Sequence, residues 1–210
     1  MVTEFIDTAG IVAYPLLLAA FLMIFIVVER SIIFLLKYRK INKDKYLKGI
    51  INFEPANKQN DILKNEKGIA ADIYYSLLVK NPKNREEFNL YLDAEEVDKL
   101  PELEKHLGFL NFIAQVSPTL GLLGTVSGMI KTFQVLGVGG SPEQMALGIS
   151  EALFTTAAGL IISLPAAAFY HYFYSKIESL HNQMNNLRLE SESRLFREEI
   201  KELKNNEISA

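Results

Sequence analysis

The sequence predicts an all-α integral membrane protein with three transmembrane helices that are extended into the cytoplasm. Apolar and charged residues are segregated along the 210-residue chain, of which 49% is hydrophobic and 22% is charged. Three apolar runs are long enough to cross a bilayer, which takes about 17 to 25 residues in a helix. Three such runs leave too little polar sequence to enclose a soluble core of this size. We therefore expect a membrane protein.

The first apolar run covers residues 11–28, which carry no charge and only Pro15 as a helix breaker. It exceeds the apolar core of a signal peptide, which has about 7 to 15 residues. Glu4 and Asp7 also precede it, where a signal peptide carries basic residues. We predict a retained first span over residues 11–36, after a short outer segment of residues 1–10.

Two further spans are predicted in the second half of the chain. Residues 107–130 carry no formal charge, and residues 145–175 are apolar apart from Glu151 near the start. We assign these spans to residues 107–135 and 145–175, with a short outer connector at residues 136–144.

Glu151 is the unexpected residue in the third span. An ionisable side chain within hydrocarbon costs at least about 2.5 kcal/mol on insertion scales, so it generally faces a protein interior or a water path. We interpret Glu151 as functional. The alternative is a position near the outer interface, where snorkelling and interfacial water reduce the cost.

The positions of Lys and Arg predict the orientation. None precedes the first span and none lies between Thr132 and Ser150, whereas six follow the first span: Lys37, Arg39, Lys40, Lys43, Lys45 and Lys48. Because basic residues collect on the cytoplasmic side, residues 37–106 and the tail 176–210 are placed in the cytoplasm. The N-terminus and the connector then face outward.

The polar regions are predicted to be helical. Pro55, Pro82 and Pro101 divide residues 37–106 into short helices, one of which carries Phe88 and Leu92 on one face. In the tail, four apolar residues recur at heptad-like spacing: Ile177, Leu180, Met184 and Leu187. This spacing favours a helix that makes an oligomer contact, and a solvated amphipathic tail is the alternative.

The second and third spans each carry a face of small residues when they are projected at about 100° per residue. The second-span face is Ser117, Gly121, Gly124, Thr125, Gly128 and Thr132. The third-span face is Gly148, Ala152, Thr155, Gly159, Ser163 and Ala166, with Glu151 at one edge and Thr156 at the other. Small residues let helix backbones approach closely in lipid, and helix packing is the role predicted for Ser117, Gly121, Gly124, Gly128 and Gly159. We also expect the two faces to line the inside of a ring.

Close packing does not explain a carboxylate, which is heavily penalised in apolar surroundings unless it has a partner. Thr125, Thr155, Thr156 and Ser163 supply hydroxyl groups near it. We predict that these residues and Glu151 form a narrow hydrated path for a proton or a small cation.

Other classes of function have little support. The sequence contains no G-x-x-x-x-G-K-[ST] phosphate loop and no H-E-x-x-H, and its three histidines are dispersed. We expect no catalytic residue, cofactor, metal or nucleic-acid partner. A solute transporter is disfavoured because three spans show no inverted repeat. A passive membrane scaffold remains the alternative of a different class.

Two motifs, PTLGLLGTVSGMIKTF (118–133) and GISEALFTTAAGLIISLPA (148–166), resemble the signature helices of the MotA/TolQ/ExbB proton channel family. The similarity is closest to the ExbB/TolQ branch. It implies a bacterial inner-membrane ring of five copies around a dimer of an ExbD- or TolR-like partner. Such a unit uses the proton motive force to energise an outer-membrane process such as TonB-dependent transport, with a TonB- or TolA-like protein as a further partner. TolQ-type envelope maintenance and a sodium-driven motor stay open.

The resemblance also assigns roles to individual residues. The family's functional positions fall on Thr125, Glu151 and Thr156 of this sequence. Position 155 departs from the pattern, because proton-using relatives often have alanine where this chain has Thr155. A hydroxyl oxygen is a ligand that hard cations prefer. We therefore expect protons first and keep sodium as the alternative ion.

Overall fold

The structure is a computed structural model, and it describes residues 12–52, 63–64 and 66–197. The predicted outer segment 1–10, part of the cytoplasmic region and the end of the tail lie outside the described residues. In the part that the structure describes, the chain is helical and contains no strand. The all-α prediction is therefore confirmed. Seven helices are described: α1 (Ala13–Lys37), α2 (Lys43–Ile51), α3 (Ile69–Val79), α4 (Arg85–Lys99), α5 (Pro101–Glu104), α6 (Leu107–Gly137) and α7 (Pro142–Leu195).

Three of these helices, α1, α6 and α7, contain apolar stretches long enough to cross a membrane. Pro15 lies in the first turn of α1 and does not interrupt it, because the N–H groups of a first turn have no helical acceptor anyway. Pro118 and Pro165 lie inside α6 and α7, and both helices continue past them.

The chain divides into two compact units. One, which we call the span unit, is Met1–Arg30 together with His106–Tyr174, and the other, the polar unit, is Ser31–Lys105 together with Ser175–Ala210.

In the span unit, the charged end of α1 is tied to the start of α6. His106 has a left-handed backbone (φ 64°) immediately before α6, a conformation that His adopts more readily than most residues. Its Nδ1 lies 2.7 Å from Oε2 of Glu29, and Nη2 of Arg30 donates to Oε1 of Glu29 at 3.1 Å. Arg30 itself is 1% exposed.

The turn between α6 and α7 is shorter than the predicted connector 136–144. Ser141 and Gln144 explain the early start of α7, because they form a capping box. The backbone N–H of Ser141 donates to Oε1 of Gln144 at 3.1 Å, and the N–H of Gln144 donates to Oγ of Ser141 at 3.4 Å. Gly139 supplies the positive φ (84°) that the turn requires.

The polar unit has its own apolar core, in which Tyr74, Phe88 and Leu92 are completely buried. The Tyr74 hydroxyl donates to the carbonyl oxygen of Met184 at 3.1 Å. All four residues of the heptad-like tail stripe are also buried within this chain. Both readings of that stripe are therefore wrong: these side chains are covered by their own polar unit, and neither an oligomer contact nor solvent is available to them.

Candidate functional site

Helices α6 and α7 meet along a line that we call the seam, in which hydroxyl groups of α7 donate to backbone carbonyls of α6. Oγ of Ser163 donates to the Ala114 carbonyl at 2.7 Å. Oγ1 of Thr156 donates to the Gly121 carbonyl at 3.0 Å. Oγ1 of Thr155 contacts the same Gly121 carbonyl at 3.2 Å. The Thr156 and Ser163 bonds join a side chain of one helix to the backbone of the other, whereas the single hydrogen of the Thr155 hydroxyl has a closer acceptor in its own helix, the Ala152 carbonyl at 2.7 Å.

Glycines make this close approach possible. A Cβ atom added to Gly124 would lie 2.6 Å from Cβ of Thr155, and one added to Gly128 would lie 2.7 Å from Cβ of Ala152. Gly121 and Gly159 are as tightly enclosed: the added Cβ would lie 2.9 Å from the Thr155 carbonyl oxygen for Gly121 and 2.5 Å from the Ser117 carbonyl oxygen for Gly159. Contacts this short do not occur between real Cβ atoms, so a larger residue would force the helices apart.

The two small-residue faces therefore cover each other within one chain. Ser117 is 0% exposed and Thr155 is 2% exposed. These contacts agree with the helix-packing role predicted for Ser117, Gly121, Gly124, Gly128 and Gly159, and the lining of a ring stays a prediction. Helical periodicity gave the correct faces, but close packing buries them against a helix of the same chain.

A cavity of about 260 Å³ lies beside the seam, near the turn that joins α6 to α7. Its polar lining consists of Ser127, Lys131, Thr132, Gln144, Glu151 and Thr155. Each water occupies about 30 Å³ in the liquid, so the cavity is large enough to hold several waters. Its two charged residues, Lys131 and Glu151, come from different helices.

The structure brings some of the predicted path residues together and separates others. Glu151 and Thr155 line the cavity, as do the packing residues Gly124 and Gly128, whereas Thr125, Thr156 and Ser163 do not. Oγ1 of Thr125 donates within its own helix, to the Leu122 carbonyl at 2.7 Å. Glu151 and Thr156 were predicted at opposite edges of one helical face, and only Glu151 lines the cavity. A single path that includes all five residues stays a prediction.

One cavity residue, Lys131, is not among the residues singled out from the sequence. It lies inside the predicted second span 107–135, directly after the charge-free run, but it is not part of the small-residue face on which the path residues were predicted. The available signal was its spacing: Ser127, Gly128 and Lys131 recur at the three- and four-residue intervals of one helical side.

Comparison with known proteins identifies the family of this chain. The profile of the MotA/TolQ/ExbB proton channel family matches residues 64–186, which is more than half of the chain. The chain belongs to this family. The resemblance inferred from the two motifs is thereby confirmed. The MotA/TolQ/ExbB family comprises ion channel subunits and is not a class of enzymes.

Individual relatives agree with the family. The biopolymer transport protein ExbB-like 1 of Synechocystis sp. is 29% identical over 83% of this chain and 71% of its own length. Biopolymer transport protein exbB1 of Vibrio cholerae is 29% identical over 76% of this chain and 73% of its own length. Tol-Pal system protein TolQ of Haemophilus influenzae is 36% identical over 47% of this chain and 42% of its own length.

A solved structure shares the fold. The structure of C. jejuni MotAB superposes with a TM-score of 0.58, covering 90% of this chain and 78% of that chain at 16% identity. The family and the three apolar helices make this chain a multi-pass protein of the bacterial inner membrane.

Proposed function

We propose that this chain is the ion-conducting subunit of an ExbB/TolQ-like motor, which uses the proton motive force to energise an outer-membrane process such as TonB-dependent transport. One observation carries the proposal: Glu151, an exposed carboxylate residue of an otherwise apolar span, lines a polar cavity beside the seam. Among the described residues, Glu151 has no hydrogen bond or ion pair with this chain. Its charge therefore serves something other than the packing of α6 against α7.

The chemistry of the cavity suits a cation. A carboxylate on a membrane-spanning helix attracts positive charge and can also accept a proton. The hydroxyl groups of Thr132 and Thr155 and the amide of Gln144 line the same space. Water held among such groups can relay a proton to Glu151 and away from it. These features support conduction in a way that a closely packed scaffold does not require.

The proposed orientation puts this cavity at the outer side of the membrane. Residues 37–106 and 176–210 lie in the cytoplasm, and the N-terminus and the connector lie in the periplasm. The chain contains no cysteine, so a single introduced thiol is unique. Ser141→Cys, in the exposed connector, should react with a membrane-impermeant maleimide on intact cells. Lys64→Cys, which is also exposed, should react only after lysis, and the reverse pattern would overturn the orientation.

The proposed assembly is a pentamer around a dimer of an ExbD- or TolR-like partner, with a TonB- or TolA-like protein as a further component. Large apolar side chains of α6 and α7 point away from the seam, among them Leu122, Leu153 and Ile161, which is 69% exposed. These surfaces require lipid or neighbouring subunits. Native mass measurement of the detergent-solubilised protein tests the pentamer, and a stable monomer would contradict it.

Ion flux tests the function directly. Vesicles that contain this chain with a co-expressed ExbD- or TolR-like partner should conduct protons under an imposed gradient. Vesicles with Glu151→Gln should conduct far less at equal protein content, because glutamine keeps the size and polarity but does not titrate. A wild-type complex that assembles without conducting any ion would favour the passive scaffold. Sodium-coupled flux would favour the sodium-driven motor, and loss of envelope integrity on deletion would favour a TolQ-type role.

A further inference from the structure

The cavity beside the seam contains one residue whose charge opposes the entry of cations. Lys131 of α6 lines the same space of about 260 Å³ as Glu151 of α7. In the part of the chain that the structure describes, neither residue has an ion pair or hydrogen bond with another side chain. The remaining polar lining is neutral: Ser127, Thr132, Gln144 and Thr155. A lysine is therefore the only positively charged residue among the described residues that line this carboxylate's cavity.

The chemistry of lysine determines what this pairing does. Its ammonium group is a compact charge on a flexible stem, and it offers three hydrogen-bond donors and no acceptor. Lys131 and Glu151 are both exposed in the isolated chain, and the attraction between an ammonium and a carboxylate strengthens where apolar surroundings replace water around them. The ammonium is also covalently attached and cannot diffuse away. The two groups are not within ion-pair distance in this structure, but the flexible stem allows the ammonium to approach Glu151 across the cavity that they share.

Lys131 should affect the binding of protons and of metal cations differently. A sodium ion needs several oxygen ligands around it, and an ammonium that approaches the carboxylate would take part of that space and supply no oxygen. A proton needs no coordination shell. A hydronium ion in the outer water transfers its proton to the Glu151 carboxylate and leaves a water. The resulting carboxylic acid then gives the proton to the next water, which restores the carboxylate, and Lys131 takes no part in the transfer.

We propose that Lys131 is the tethered counter-cation of Glu151, and that it determines ion specificity by excluding alkali-metal cations from this cavity. The inference rests on the proposed conducting function and deepens it, since it assigns the proton as the ion. It also limits the significance of Thr155, the hydroxyl that had kept sodium open. Oγ1 of Thr155 donates to the Ala152 carbonyl of its own helix at 2.7 Å, and Thr155 lines the same cavity as Lys131.

The test measures proton uptake and sodium uptake separately, in proteoliposomes that contain the chain purified with its ExbD- or TolR-like partner. The decisive variant is Lys131→Met, which keeps a long side chain and removes the charge. Lys131→Arg keeps the charge, and Gln134→Met is the matched control, since Gln134 is an exposed polar residue of α6 that does not line the cavity. Lys131→Gln repeats the charge removal with a polar side chain, in case the Met variant does not assemble.

Wild type, Lys131→Arg and Gln134→Met should carry protons with little sodium. Lys131→Met and Lys131→Gln should raise the ratio of sodium to proton uptake by roughly tenfold or more, because one unit charge near the carboxylate has been removed. An unchanged ratio in both charge-removing variants would overturn the role of Lys131 and leave conduction intact. Wild-type sodium uptake that equals proton uptake would overturn it as well. A wild-type complex that conducts neither ion would reject the proposed function itself, and the role of Lys131 with it.

Discussion

The hydroxyl of Ser163 donates a 2.7 Å hydrogen bond to the backbone carbonyl of Ala114, the acceptor that Pro118 leaves without a donor in its own helix. In an α-helix the N–H of residue 118 would bond to the carbonyl of residue 114, and proline has no N–H. A buried carbonyl without a donor is expensive in an apolar environment. Ser163 therefore compensates for a proline on the opposite helix.

This relationship predicts a coupling between the two positions. Ser163→Ala should lower the free energy of unfolding by about 1 kcal/mol, the usual range for a polar contact between membrane helices. In a Pro118→Ala background, residue 118 supplies the missing N–H, so Ser163→Ala should cost much less. Denaturant titration of the four proteins measures the coupling. Ser150→Ala, at an exposed position of α7, is the control, and equal losses in both backgrounds would contradict the account.

Gly124 should be intolerant of any side chain. Gly124→Ala places a Cβ 2.6 Å from Cβ of Thr155 and should destabilise the hairpin by about 1 to 3 kcal/mol through overpacking. Gly108→Ala introduces the same atom in the same helix, where nothing lies within 4 Å, and should leave stability unchanged or slightly higher. The assay is thermal unfolding in detergent. Equal melting temperatures for the two variants would show that the seam can widen freely.

Glu96, on α4, should make the stability of the polar unit depend on pH. Burial raises the pKa of the Glu96 carboxyl group, although His181 and Arg188 act in the opposite direction. A raised pKa means that folding favours the protonated form, so this contribution to stability is present at low pH and is lost as the pH rises through the raised pKa.

Glu96→Gln should accordingly raise the melting temperature at pH 7.5, because glutamine avoids the buried charge. The gain should vanish below about pH 4, where a glutamate is protonated in both states. Asp98→Asn, at an exposed site on the same helix, should show no such pH-dependent gain. Equal gains for Glu96→Gln at both pH values would rule out titration as the cause.

The energised activity of the complex should separate the predicted path residues from one another. Glu151→Gln should lower activity by about 100-fold or more, since the titrating group is lost while the complex still assembles. Thr156→Val removes the hydroxyl that binds the Gly121 carbonyl and should also lower activity. Thr155→Ala should change activity little if protons are the ion and strongly if sodium is. Full activity of both Glu151→Gln and Thr156→Val, at matched expression, would leave Glu151 as an interfacial residue.

The sequence predicted the helices better than their partners. The number of consecutive uncharged residues can be counted along the sequence, so α1, α6 and α7 could be located from composition alone. The faces of small residues followed from the 3.6-residue period of an α-helix. The helical period does not reveal which other helix or subunit packs against a given face. The face that carries Gly124 was expected to line a ring, and the stripe that includes Met184 was expected to meet another subunit or solvent. Both are buried within the chain.

The part of the site that the sequence analysis missed depends on three-dimensional proximity. Lys131 and Glu151 are separated by an entire turn between helices, and only the antiparallel packing of α6 and α7 brings them to one cavity. The start of α7 was different, because its signal is local. Ser141, Pro142 and Gln144 have the spacing of a capping box with proline at the first helical position, and this could have been recognised directly.

The seam also makes the two helices unequal as targets of mutation. Its interhelical donors are the side chains of Thr156 and Ser163, whereas its acceptors are backbone carbonyls, which every amino acid retains. Evolution can therefore exchange the residues of α6 on the sole condition that they stay small. On α7 it must preserve both size and a hydroxyl group. The tolerated substitutions should consequently differ between the two helices. Glycine and alanine should interchange at the less tightly packed positions of α6, and serine and threonine should interchange on α7.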